Sequence, residues 1–345
     1  MLTFFTLEQS EKWDSVVRTF NDYDVYWLSG YVRAFNINGD GEPLLFYYDD
    51  GETRGINVVM KRDVAKDPNF VGKIPENTYF DFSTPYGYGG WIIEGDEVDL
   101  LFQQYNSWCV KNNIVCEFVR FHPVVNNVKN SEGFYDIINL GNTVALDLSS
   151  PEIIWENITS KNRNMIRKAQ KSGVEIYSGR NEKLYEEFRE IYNSTMENDN
   201  AEEYYFFGKE FYKSICYHLQ ENAQLFYAML DGEMIAASIM IAANGKLNYH
   251  LSGSKYEYRN LAPSNLLLYK AALWGSANGC KTFHLGGGVG SGEDNLFKFK
   301  KSFYRKDDVK QFSIGRKIII EDKYIELLNM RTNIENTGYF PQYRG

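Results

Sequence analysis

The sequence predicts an α/β chain (α+β) of two successive units, each with a mixed central sheet flanked by helices. Its 345 residues suit two domains at about 100 to 200 residues each. With 43% hydrophobic and 24% charged residues, the composition is that of globular proteins. Segments of helical and strand periodicity alternate, and the same order of elements occurs twice. These three observations indicate a duplicated α/β unit.

The second half shows this order most clearly. Two amphipathic segments are followed by three strands, and Asp231-Gly232 and Asn244-Gly245 supply the hairpin turns. A helix that opens at Pro263 then joins the third strand to a fourth. A glycine-rich loop, a helix and a last strand complete the unit. The predicted helices are 181–196, 207–222, 263–278 and 294–305, and the predicted strands are 224–230, 234–242, 246–252, 281–285 and 310–320.

The first half repeats this order with weaker signals. Two helices precede a hairpin turned at Asp50-Gly51, and a later helix again joins two strands. The predicted helices are 7–20, 28–36 and 97–112, and the strands are 44–48, 55–60, 78–82 and 114–121. We place the join near residue 145, which gives domains 1–145 and 146–345.

Charge and cysteine content restrict the classes of function. A net charge of -9 opposes general attraction to nucleic acid or an anionic bilayer. Without an apolar segment of membrane-spanning length or a signal-peptide pattern, we expect a cytoplasmic protein. The four cysteines have no paired spacing, so we expect neither a disulfide nor zinc. The four histidines do not indicate a metal site, and no metal is predicted.

The segment 160–171 is the most basic part of the chain and contains no acid. Helical spacing places its apolar residues on one side and Arg163 and Arg167 on the other. A solvated surface is the simplest explanation. Because like charges repel unless an anion is present, we also predict a substrate-binding role for both arginines.

Polar residues follow the two strands that the 263–278 helix connects. Alternation places Asn248, His250 and Ser252 on one face of the first strand and His284 on a face of the second. If the strands are parallel neighbours, these side chains line one cleft. His250 and His284 are candidate catalytic groups, with a structural role as the alternative, and Ser252 is a candidate substrate contact.

Two features follow the second of these strands. Gly286, Gly287 and Gly288 would let a ligand approach the backbone, with a tight connection as the simpler explanation. In the next helix, Lys300 falls within the apolar stripe beside Phe299. An inward lysine needs an anionic partner or loses hydration at a cost of several kcal/mol. We predict that it holds an oxyanion or a phosphate.

No nucleophile motif such as Gly-x-Ser-x-Gly is present. Covalent catalysis is therefore not indicated. Direct transfer between two bound substrates, promoted by positioning and electrostatics, fits better.

As a set, four motifs resemble the Fem-like branch of the GNAT superfamily, which includes the FemAB-type peptidoglycan bridge aminoacyltransferases. They are DFSTPYGYGG at 81–90, EFVRFHP at 117–123, the segment 161–173, and FHLGGG at 283–288 with LFKFKKSF at 296–303. The resemblance spans about 75–320. It implies two tandem GNAT-like domains, the first degenerate and the second carrying acyltransferase activity.

The resemblance also implies site residues and substrates. Lys300, which follows Phe299, would stabilise negative charge near the transferred acyl carbon, and both residues are candidate catalytic groups. Tyr86 and Tyr88 would form part of the acceptor wall, and Arg120 would bind substrate. The implied reaction forms an amide on a peptidoglycan-precursor amine. No tightly bound cofactor is implied. The donor would be aminoacyl-tRNA, held by its acceptor stem, or acyl-CoA.

The sequence departs from the acyl-CoA pattern at 259–264. No glycine stands there, and Pro263 removes an amide donor, although the helix start at Ser264 and Asn265 still attracts anions. An acyl-CoA-dependent N-acetyltransferase acting on a sugar nucleotide or surface-polysaccharide precursor is the alternative. A non-catalytic module that binds a precursor is the remoter one.

Overall fold

The computed structural model describes residues 1–331 and 338–345. Its strands, in chain order, are β1 (Leu2–Phe5), β2 (Glu42–Asp49), β3 (Arg54–Asp63), β4 (Phe80–Ser83), β5 (Ile92–Glu94), β6 (Ile114–Arg120), β7 (Asp136–Asp147), β8 (Glu175–Gly179), β9 (Ala223–Leu230), β10 (Glu233–Ala243), β11 (Lys246–Ser254), β12 (Thr282–Gly286) and β13 (Lys310–Ile318).

The helices are α1 (Ser10–Val17), α2 (Ser29–Asn38), α3 (Asp99–Lys111), α4 (Pro151–Asn157), α5 (Ser160–Lys171), α6 (Glu182–Asn198), α7 (Lys209–His218), α8 (Pro263–Ala277), α9 (Asn295–Lys301) and α10 (Glu321–Asn329). No helix among the described residues is long and apolar enough to cross a membrane.

The chain divides into two compact units. Unit 1 comprises 1–140 and 312–345, and unit 2 comprises 141–311. This differs from the predicted division at 145/146, which assigns the whole C-terminal segment to the second domain. The reason is strand pairing: Ile314–Ile318 of β13 pair antiparallel with Cys116–Arg120 of β6, inside unit 1.

Within unit 1 the strand order is β1-β2-β3-β4-β6-β13, with β5 beside β3. All pairs are antiparallel except β4 with β6, which α3 connects. Aromatic side chains such as Phe46, Phe82 and Tyr105 form the core between the sheet and α3. One parallel pair joined by a helix is therefore the central feature of this unit.

Unit 2 has the same feature. Its order is β7-β12-β11-β10-β9-β8, and β11 with β12, connected by α8, is the parallel pair. Leu266, Leu268 and Ala272 of α8 pack into the core with Phe283 of β12. Because both units contain this arrangement, the predicted repeat of a mixed sheet flanked by helices agrees with the structure.

Candidate functional site

In unit 2, β11 and β12 pair for only three residues, Lys246–Asn248 with Thr282–His284. Tyr249 and Leu251 face consecutive residues of β10, so His250 between them is the extra residue of a β-bulge. A bulge bends its strand and interrupts pairing. The carboxyl ends of the parallel pair, where α/β sheets usually bind ligands, are thus left open.

Lys300 of α9 lies at this end of β12. Its side chain is buried, and its Nζ donates a hydrogen bond of 2.7 Å to the carbonyl oxygen of Gly287. The same nitrogen lies 5.8 Å from the ring centre of Tyr249. Burial lowers the pKa of Lys300 to about 8, against the opposing charge of Asp294. At neutral pH the group is still mostly an ammonium, and among the described residues only one of its three donors is used.

Tyr249 was not singled out by the sequence analysis. Its hydroxyl hydrogen-bonds Ser252 and Ser238, and the two serine oxygens lie 2.8 Å apart. Tyr249 thus has its hydroxyl bonded to the two serines and its ring near Lys300. A bulge leaves no compositional signal, so alternation alone could not place Tyr249 with Ser252.

The bulge also corrects the predicted face. Strict alternation would place Ser252 on the same face of β11 as Asn248. In the structure Ser252 hydrogen-bonds Tyr249, which lies on the opposite face from its neighbour Asn248. Asn248 instead stands in register with His284, which is buried. The prediction of one polar face through Asn248, His250 and Ser252 is therefore wrong.

The two candidate catalytic histidines lie apart from the Lys300 contacts. His284 alternates with Phe283 and Leu285, which face the same core as Phe297 of α9, so its ring points to the other face. His250 is partly exposed, yet the burial of its ring lowers its pKa to about 3, which keeps it neutral at pH 7. A catalytic role for either remains a prediction.

The glycine loop is fastened to the start of α9. Asp294 accepts from the backbone N–H groups of Val289 (3.1 Å) and Phe297 (2.8 Å) and so caps the helix. Gly286 has a φ of +77°, and a Cβ on Gly288 would lie 2.3 Å from Asp294 Oδ1. The close packing of this loop fixes the position of the Gly287 carbonyl that Lys300 contacts.

Phe299 precedes Lys300 and is partly buried, with its ring 5.4 Å from that of Phe303. It packs against the same core cluster as Tyr249. A catalytic role for Phe299 stays a prediction.

The two arginines of α5 are held by an aromatic side chain. The guanidinium carbons of Arg163 and Arg167 lie 5.9 and 5.2 Å from the ring centre of Trp155 in α4. Neither forms an ion pair within the described part of the chain. Trp155 was also missed by the sequence analysis, because an aromatic residue in a short helix has no distinctive spacing.

Asn265, at the start of α8, donates from Nδ2 to Oδ1 of Asn162 over 2.8 Å and so ties α8 to α5. Ala262 before it has a φ of +58° and supplies no side-chain cap. Ser264 is partly exposed beside it. The predicted anion-binding roles of Ser264 and Asn265 stay predictions, with the amide of Asn265 already engaged.

Unit 1 holds the remaining candidates. Arg120 donates from Nε to the carbonyl oxygen of Gly87 over 3.0 Å, and its guanidinium lies 5.2 Å from the ring centre of Phe312. Tyr88 packs 5.7 Å from the same ring, and burial raises its pKa to about 12. Tyr86 stacks on Phe35 at 5.7 Å. Further ring contacts join Phe35 to Tyr88, so all three residues belong to one aromatic cluster.

Residues 160–301, which include the basic helix, the open strand pair and Lys300, match the family model described as an acetyltransferase (GNAT) domain. This segment is therefore similar to a GNAT acetyltransferase domain. The match lies wholly within unit 2 and ends one residue after Lys300. No curated protein matches the sequence.

Solved structures extend the GNAT likeness to both units. FemX aligns with a TM-score of 0.69 and 13% identity over 96% of this chain and 100% of its own. The C-terminal domain of a putative lysylphosphatidylglycerol synthetase from Agrobacterium fabrum aligns with a TM-score of 0.55 and 13% identity, over 93% of this chain and 96% of its own. A tandem GNAT protein from the clavulanic acid biosynthesis pathway aligns with a TM-score of 0.50 and 8% identity, over 92% of this chain and 99% of its own.

These alignments show the fold. The predicted fold class, two tandem GNAT-like domains, is confirmed, and so is the resemblance to the Fem-like branch at the level of the fold.

Proposed function

We propose that the protein is a Fem-like acyltransferase that joins an acyl or aminoacyl group to an amine of a peptidoglycan precursor by direct transfer. One observation carries the proposal: a buried ammonium, Lys300, stands at the open carboxyl end of the β11–β12 pair of a GNAT domain. The likeness to FemX supports the cell-wall acceptor and the cytoplasmic, bacterial setting.

In this reaction the acceptor amine attacks the carbonyl carbon of the donor ester or thioester. The carbonyl oxygen becomes negative, the new C–N bond forms, and the bond to the carrier then breaks. The Lys300 ammonium would donate a hydrogen bond to that oxygen, and the low polarity around it strengthens the interaction. The proton lost by the amine leaves with the carrier's oxygen or sulfur.

Two donors fit this chemistry. Aminoacyl-tRNA, whose acceptor stem the protein would bind, is favoured by the likeness to FemX and by the absence of glycine at 259–264. Acyl-CoA, used on a sugar nucleotide or surface-polysaccharide precursor, is favoured by the acetyltransferase model itself. In either case the donor is a substrate, and the proposal includes no tightly bound cofactor.

The decisive experiment pairs each donor with a nucleotide-linked muropeptide and measures amide formation by mass spectrometry. Lys300→Met keeps the apolar stem, so the protein should fold while turnover falls by roughly 10² to 10³. Lys270→Met, an exposed lysine of α8, is the matched control and should turn over at the parent rate. A folded Lys300→Met protein with parent turnover would contradict the proposal.

A further inference from the structure

Unit 2 contains a cleft of about 560 Å³ that Lys300 does not line. It runs along another side of α9, between that helix and the segments near Asn142 and Val309. Lys298 and Lys301, three residues apart and therefore on one side of the helix, both line it. Arg305 adds a third cation just beyond the helix.

The polar groups of this cleft are available to a ligand. The side chains of Lys298 and Arg305 form no hydrogen bond or ion pair with residues 1–331 or 338–345. Lys301 is held in place because its Nζ donates to the carbonyl oxygen of Lys306. Thr159 accepts from the backbone N–H of Asn162, which leaves its own proton to donate.

We propose that this cleft binds the diphosphate group of a nucleotide-type small molecule. Three cations and a hydroxyl line this one cleft and are hydrogen-bond donors that suit phosphate oxygens, and an arginine can bind two of these oxygens at once. The volume lies within the range of about 300 to 1,000 Å³ found for small-molecule sites. The inference rests on the proposed function, whose substrates include a nucleotide-linked precursor or coenzyme A.

The charge balance favours a small molecule over RNA. Two carboxylates, Glu293 and Asp307, also line the cleft and leave it only slightly positive. RNA-binding surfaces depend on many phosphate contacts spread over a basic area, whereas this chain has a net charge of -9. A short dianionic group opposite the three cations suits the cleft better than a long polyanion.

The test measures binding by calorimetry at constant ionic strength, with three probes: inorganic pyrophosphate, uridine diphosphate and coenzyme A. The parent should bind pyrophosphate and at least one nucleotide. The double variant Lys298→Gln/Arg305→Gln should lose roughly tenfold or more in affinity, because two charged hydrogen-bond donors are removed. Lys281→Gln, an exposed lysine outside the cleft, should bind as the parent does.

The nucleotide that loses affinity in the double variant identifies the source of the diphosphate. A loss of affinity for coenzyme A would assign the cleft to the donor, and a loss of affinity for uridine diphosphate would assign it to the acceptor. The inference is overturned if pyrophosphate does not bind the parent at millimolar concentration, or if it binds the parent and the double variant equally. It is also overturned if the double variant loses affinity for an RNA acceptor-stem hairpin but for none of the three small-molecule probes.

Failure of this inference is distinguishable from failure of the proposed function. Binding is measured without turnover, and Lys300→Met should keep pyrophosphate affinity within twofold of the parent while its turnover falls. If Lys300→Met turns over at the parent rate and still binds pyrophosphate, the proposed role of Lys300 is wrong and the inference about the cleft stands. Full activity without pyrophosphate binding would remove the cleft alone.

Discussion

At the scale of single residues, Lys300 combines burial with a retained charge. Its pKa is lowered to about 8, so the ammonium is the main form at pH 7 and is lost as the pH rises through about 8. If the ammonium stabilises the oxyanion, the rate should rise at low pH as the acceptor amine loses its proton and then fall near pH 8. A pH profile of kcat measures both limbs.

The Lys300→Met variant provides the control for this profile. Its residual rate should lack the falling limb, because the group that titrates near pH 8 is gone, and should keep the rising limb of the acceptor amine. A falling limb of the same position in the variant would assign that ionisation to another group.

The two arginines on Trp155 illustrate how a charge can be positioned without a carboxylate. Their guanidinium groups lie over an aromatic ring and donate hydrogen bonds to neutral oxygens of Trp155, Ser160 and Asn164, so their charge is not neutralised by an ion pair within the described residues. We expect Arg163→Ala and Arg167→Ala each to weaken the affinity for an anionic substrate by roughly 1.5 to 3 kcal/mol. Titration of donor and acceptor against each variant, with Lys281→Ala as control, is the measurement. Unchanged affinity for both substrates in both variants would make α5 a solvated surface only.

At the scale of elements, the glycine loop and α9 depend on one another through Asp294. Gly288→Ala would place a methyl group 2.2 Å from the carbonyl oxygen of Gly292 and 2.3 Å from Asp294 Oδ1, so the helix cap must shift. Loss of such a cap costs about 0.5 to 2 kcal/mol. We expect that loss in thermal unfolding, together with lower turnover, because the Gly287 carbonyl that Lys300 contacts moves with the loop.

Gly292→Ala is the matched control for Gly288→Ala. Gly292 has a φ of -80°, which any residue adopts, and its nearest neighbour to a Cβ is 3.6 Å away. This variant should keep the stability and turnover of the parent. Equal losses in both variants would show that the loop tolerates no side chain anywhere.

Turns and helix starts that depend on the chemistry of a few neighbouring residues were predicted correctly from the sequence. The hairpin at Asn244-Gly245 and the helix opened by Pro263 occur where the sequence predicts them. Helical spacing also predicted the burial of Lys300. The bulge at His250 could not be predicted, since one extra residue changes the register of a strand without changing its composition. The strands β1, β5, β7 and β8 were not predicted from the sequence either.

At the scale of the whole molecule, the sequence could not show that the C-terminal segment completes unit 1. The pairing of β13 with β6 joins residues about 200 positions apart, and no local pattern records such a pairing. Unit 2 is consequently a continuous segment, 141–311, with the two parts of unit 1 before and after it in the chain. Fragments cut at 145/146 would separate β13 from its partner.

The last residues of the chain hold a buried carboxylate in unit 1. Asp81 is fully buried and contacts Arg62 Nε at 2.6 Å, Arg344 Nε at 2.7 Å and the Tyr343 hydroxyl at 2.9 Å. Although burial opposes it, the two arginines keep the pKa of Asp81 below its ordinary value. The network therefore stabilises the fold at neutral pH, and that contribution is lost as the pH falls through the lowered pKa.

Arg344→Met should accordingly destabilise the whole protein, because it leaves a buried carboxylate with one arginine instead of two. Breaking a buried pair costs about 3 to 5 kcal/mol, and we expect the lower end, since Arg62 remains. Denaturant unfolding at pH 7 measures the loss. Arg316→Met, which breaks the exposed pair of β13 with Asp136 at 2.7 Å, should cost no more than about 1 kcal/mol. If the two variants lose equal stability, the C-terminal residues do not anchor unit 1 through Asp81.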